Sequence, residues 1–72
     1  MLDMLDRLED ERRCVRITLT SGETLEGYSD NIIWLEDEEG WEIIKAIWFR
    51  PGESEYYRAL REEEIESYEV IG

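Results

Sequence analysis

The residues best placed to do chemistry are carboxylates: 20 of the 72 residues are aspartate or glutamate, and several are adjacent, as in Glu36-Asp37 and Glu62-Glu63-Glu64. Two neighbouring carboxylates divide acid and base roles when their surroundings drive their pKa values apart. Adjacent acids on exposed turns ionise and hydrate instead, and that is the reading taken here. The same groups attract calcium or magnesium weakly, but the segment from Glu36 to Gly40 lacks the alternating ligand spacing of an EF-hand. With no histidine and only Cys14, the serines Ser21, Ser29, Ser54 and Ser67 have no partner base, and zinc would have carboxylates alone. The expectation is no enzyme, no cofactor and no metal site.

Binding is the other chemistry available. Trp34, Trp41, Trp48, Tyr56 and Tyr57 have faces on which bases could stack, yet single-strand binders pair such platforms with a basic groove. Here Arg16, Lys45, Arg50, Arg58 and Arg61 are outnumbered everywhere, and the formal charge is −12. Charge therefore disfavours nucleic acid.

Positioning these groups requires a core. A hydrophobic fraction of 42% with 11% aromatics exceeds what an acidic disordered tail carries. A chain of this length buries only about 60% of its unfolded surface, so one small domain, 1–72, is expected. It divides into a helix, 1–13, and a strand-rich body, 14–72. Leu2, Met4, Leu5 and Leu8 fall at helical spacing, with acids early and Arg12 and Arg13 late, as the helix dipole favours. From Cys14 to Thr20 the period switches to two, with Val15, Ile17 and Leu19 on one face. Cys14 reads as a small buried hydrophobe at the strand start.

Ser21-Gly22 reads as a hairpin turn into a second strand, Glu23 to Tyr28, where Gly27 marks a bulge or sharp bend. Asp30-Asn31 reads as a turn, Ile32 to Leu35 as a third strand, and Glu36 to Gly40 as a solvated hairpin loop. Trp41 to Arg50 is a fourth strand stopped by Pro51-Gly52, Glu55 to Leu60 a fifth, and Ile65 to Ile71 a closing strand. The stretch 54–68 admits two readings. Strand, turn, strand makes the chain mainly β; Ser54 as a cap ahead of helix-forming Ala59 to Glu64 makes it α+β. The first is preferred.

Within the third strand Ile33 and Leu35 face opposite to Ile32 and Trp34, and all are large and apolar. The fourth strand sets Trp41, Ile43, Ile47 and Phe49 against Ile44, Ala46 and Trp48. One small core cannot cover both faces, and a short helix covers only part of the second. Ile32, Trp34, Ile44 and Trp48 are therefore the expected interaction surface.

The run from Val15 to Gly27, with glycines at 22 and 27, followed by an apolar strand headed by Asn31, resembles the Sm and Sm-like family, including its Hfq-like members. Leu60-Arg61-Glu62-Glu63-Glu64-Ile65 stands where that family carries its later motif, with Glu62 in place of the motif's glycine. The resemblance implies a small, strongly bent SH3-like barrel of about five strands behind a short N-terminal α-helix, assembled into rings by edge-strand pairing. It also implies RNA binding through Asp30, Asn31 and Arg61.

The resulting expectation is a non-enzymatic, self-associating interaction module whose first partner is a second copy of itself. Ring-type RNA binding is one alternative. Another is an acidic nucleic-acid mimic that occupies a basic protein. The chain shows no membrane-length apolar run and no signal-like amino terminus, so a cytoplasmic protein is expected.

Overall fold

The computed structural model describes residues 3–52 and 56–72. Helix α1 spans Met4–Asp10 and is capped by Asp3, whose carboxylate accepts the Asp6 N–H at 2.8 Å. Seven residues are too few to hold a helix in water unaided, so tertiary packing must hold it. Leu5 and Leu8 supply that packing, both fully buried and each contributing about 1.5–3 kcal/mol of apolar transfer. The helix is shorter than the spacing of residues 2 to 13 predicts. Glu11 is extended, and its carboxylate turns to the N–H and guanidinium of Arg13, a local alternative to the next helical bond. Arg12 and Arg13 thus lie beyond the helix, and Leu2 lies outside the described residues.

Five strands follow, β1 (Val15–Leu19), β2 (Thr24–Glu36), β3 (Ile43–Pro51), β4 (Arg58–Arg61) and β5 (Ile65–Val70). All pairings are antiparallel, in the order β4-β3-β2-β1-β5. The chain is mainly β, and residues 56–68 do not form the alternative α-helix. They hold β4, a single 3-10 turn at Glu62–Glu64 and the start of β5. The Ser54 cap and the Glu55 start of the fifth strand lie outside the described residues.

Asp30-Asn31 is not a turn: the predicted second and third strands are one continuous β2. Between Ser29, opposite Phe49, and Ile32, opposite Ile47, β2 takes three steps while β3 takes two. The extra residue is a bulge, which bends a strand without ending it. The ladder is in register at Gly27, and what the glycine provides there is close approach: a Cβ would sit 2.1 Å from the Arg50 carbonyl oxygen and 2.9 Å from the Gly52 nitrogen. No other residue allows that approach of β2 to the end of β3.

The sheet curls until its opposite edges, β4 and β5, share a core. Val15, Ile17 and Leu19 of β1 meet Ile47 and Phe49 of β3, Leu60 of β4, Ile65 of β5, and Leu5 and Leu8 of the helix in one cluster. Polar contacts fix the helix on this inner face. Lys45 Nζ reaches Asp6 at 2.7 Å and Asp3 at 3.0 Å, and the Ser29 hydroxyl donates to the Leu8 carbonyl. β1 accompanies β2 only as far as Gly27, and beyond it the Ile32 N–H is met by the Glu9 carboxylate at 2.7 Å.

Candidate interaction surfaces

The bulge decides which apolar side chains lie where. Paired residues of an antiparallel ladder share a face. Counted without an extra residue, Ile32 would oppose Ala46 and Trp34 would oppose Ile44, grouping all four expected surface residues. With the bulge, Ile32 opposes Ile47 and Trp34 opposes Lys45. Ile32 and Trp34 therefore belong to the inner face, while Ile44 and Trp48 belong to the outer, with Ile33 and Leu35. The expected surface is split across the sheet.

On the outer face Ala46 is wholly buried between its cross-strand partners Ile33 and Arg61. Ile33, Leu35, Ile44 and Trp48 around it are half-buried. Trp48 stacks on Tyr57, with ring centroids 5.4 Å apart, and the Arg50 guanidinium lies 5.6 Å from the centre of the Tyr28 ring. This face largely covers itself. Tyr57 is a neighbour that strand periodicity did not nominate, because the stack joins β3 to the approach to β4.

The inner face is another matter at its far end. Ile32 packs against the core, but Trp34 is 64% exposed and Ile43 59%, with Trp41 beyond them at 81%. β4 joins β3 only from Ala46 onward, so residues 34–36 and 43–45 pair only with each other. They form an arm, closed by a loop in which the Trp41 N–H donates to the Asp37 carboxylate at 2.8 Å and Gly40 takes φ 74°.

The residues nominated for RNA do not form a basic site. Asp30 and Asn31 sit exposed at the bulge, beside Glu9, Asp10 and Glu11 and the single cation Arg12. Arg61 lies on β4, with β3 between it and β2, and is held by Glu64 at 2.7 Å and Glu63 at 3.0 Å. The Glu64 hydrogen bond and both carboxylate charges raise the Arg61 pKa.

The other shifted groups follow the same pattern. Asp3 is lowered by the Asp6 backbone N–H and then by Lys45, and Glu11 by the Arg13 side chain. Lys45 is raised by Asp6 and Asp3, and Arg16 by Glu26 and Glu69. Every one of these shifts favours the charged form, which suits ion pairing rather than proton transfer at neutral pH. Cys14 is half-buried, and its carbonyl accepts N–H bonds from Ile71 and Gly72.

Comparison with known proteins yields no relative. No family model, curated protein or solved structure matches this chain. Among the described residues no helix is long and apolar enough to cross a membrane.

The two edges of the sheet complete the set of surfaces. β4 reads Arg58-Ala59-Leu60-Arg61 and β5 reads Ile65-Glu66-Ser67-Tyr68-Glu69-Val70, so one edge carries two arginines and the other two glutamates. Among the described residues neither has a strand neighbour on its outer side.

Proposed function

We propose that this chain is a non-enzymatic Sm-like barrel that acts as a protein-interaction module by joining copies of itself edge to edge. The observation that carries the reading is the unlike charge of the two free edges. Exposed edge strands recruit further strands. Pairing β4 with β4 or β5 with β5 sets like charges together, whereas β4 of one copy beside β5 of the next sets Arg58 and Arg61 near Glu66 and Glu69, to be shared with the partners they have within the chain, Glu23, Glu63, Glu64 and Arg16. Such head-to-tail contacts close into rings when the rotation per copy allows. Strand order and the helix in front suit the Sm-like resemblance, and a lone half-buried thiol suits a reducing cytoplasm.

The resemblance's other implication, RNA binding through Asp30, Asn31 and Arg61, draws no support from surroundings in which Glu9, Asp10 and Glu11 outnumber Arg12 and in which Glu63 and Glu64 hold Arg61.

The test is mass measurement by light scattering at micromolar concentration. Ile71 donates its N–H to Cys14, so by ladder alternation the Val70 N–H points away from β1. Val70→Pro removes that outward donor without removing a bond to β1. The wild type is expected to be oligomeric and to dissociate as salt rises, with Val70→Pro monomeric and its circular dichroism unchanged. A wild type that stays monomeric at low salt overturns the proposal.

A further inference from the structure

We infer that the β2–β3 arm is a second, separate docking surface, and that its occupant is a basic amphipathic segment of another protein. Trp34, Trp41 and Ile43 are among the most exposed apolar side chains of the described residues, and the tight loop closed by Asp37 and Gly40 fixes them at one end of the molecule. Aromatic side chains held in this way are the anchors that dominate binding at protein interfaces. Along the β3 side of the arm runs a shallow groove where β4 has ended. It is lined by Ile43 and Ile44, by Glu42, Glu62 and Glu63, and by Lys45 and Arg61, whose charges are already met by Asp3 and Asp6 and by Glu63 and Glu64.

Charge selects among occupants. From residue 34 to residue 45 the arm carries Glu36, Asp37, Glu38, Glu39 and Glu42 against Lys45 alone, and Lys45 is already engaged by Asp3 and Asp6. A second copy laid arm to arm would double that acidic collar, which like-charge repulsion opposes. An anionic lipid surface is repelled for the same reason. A segment with apolar side chains on one face and lysine or arginine on the other satisfies both parts of the surface. The apolar face covers Trp34, Trp41 and Ile43, and the cations meet the collar. The anchors Trp34, Trp41 and Ile43 lie off both edge strands, and the groove meets the β4 edge at Arg61, so the test is run with edge pairing present and with it removed.

The experiment is a two-dimensional amide and indole NMR titration of the full chain, run also in the Val70→Pro variant. The probe is a short synthetic leucine–lysine peptide patterned as an amphipathic helix, with oligolysine and a leucine–glutamate peptide as controls. The expected result is movement of the Trp34 and Trp41 indole signals with the Trp48 signal still, and no response to leucine–glutamate. Trp34→Ala, a change on the exposed arm, should weaken binding about tenfold or more with the remaining spectrum intact. Three results overturn the inference: unmoved Trp34 and Trp41 signals, oligolysine binding as tightly as the amphipathic peptide, or Trp34 and Trp41 signals that shift on diluting the protein alone, which would make a second copy the occupant.

Discussion

Trp48 and Tyr57 stack almost parallel on the outer face, their planes 7° apart. The stack covers one side of Trp48 and ties the approach to β4 onto the middle of the sheet. Such a pair contributes about 0.5–1.5 kcal/mol beyond the area it buries. Tyr57→Ala is therefore expected to lower the urea midpoint by a matching amount and to reduce the near-ultraviolet circular dichroism. It should also raise quenching of Trp48, with Trp34 and Trp41 unaffected.

Gly27 permits a backbone approach of β2 to the end of β3 that any side chain would block. Gly27→Ala must push the strands apart at Arg50 and Gly52, and a cost of about 3 kcal/mol or more is expected. Gly52→Ala is the control, because a Cβ there would lie 3.5 Å from the Glu26 carbonyl oxygen, an ordinary contact. Equal unfolding midpoints for the two variants would refute the assignment.

Leu8 is fully buried beneath the helix. Leu8→Ala should cost about 2–5 kcal/mol through the cavity it leaves. Because so short a helix is held by tertiary contacts, amide exchange should accelerate across residues 4–10 before it does in β1.

The Asp3–Lys45 contact predicts a pH signature. Asp3 has a folded pKa below the ordinary carboxylate value, so its contribution is present above that ordinary value and is lost as pH falls through the folded one. Lys45 is raised, so its contribution is present below the ordinary ammonium value and is lost as pH rises through the higher folded one. The melting temperature of the wild type should therefore exceed that of Asp3→Asn near neutrality and converge with it in acid. A difference independent of pH would argue against the pairing.

How much of this was legible in the sequence depended on how local the cause was. Val15, Ile17 and Leu19 announced β1 because a strand with one buried face writes its period directly into the chain. Gly22 and Gly40 marked their turns through backbone freedom, and both take positive φ. Asp30 and Asn31 misled because both residues favour turns locally. What carries the strand through them is pairing with β3 on either side, at Ser29 and Ile32, and the Glu9 carboxylate on the Ile32 N–H, 23 residues away. The helix was overextended for a related reason, since the Glu11–Arg13 contact competes with a periodicity that continues past it.

The candidate surfaces were read less well than the fold. Both sets of apolar residues on β2 were visible, but their match to the sets on β3 depends on register, which no single-strand pattern contains. Ile44 and Trp48 were placed on an exposed face that Tyr57 and Arg61 partly cover. Trp34 emerged as the side chain left open, while Ile43 and Trp41 beside it had been assigned to the opposite set. The unlike charges of β4 and β5 were present in the sequence and acquired meaning only when strand order made those two the edges.

The bulge in β2 has one more consequence, seen by imagining the gene edited. Removing a residue from most strands throws every later side chain onto the wrong face. Removing Asn31 would not: Ser29 would still meet Phe49, Asp30 would meet Trp48, and Ile32 would still meet Ile47, with Trp34 and Leu35 keeping their partners. The strand carries a spare residue, and a deletion there would sacrifice curvature while preserving the frame.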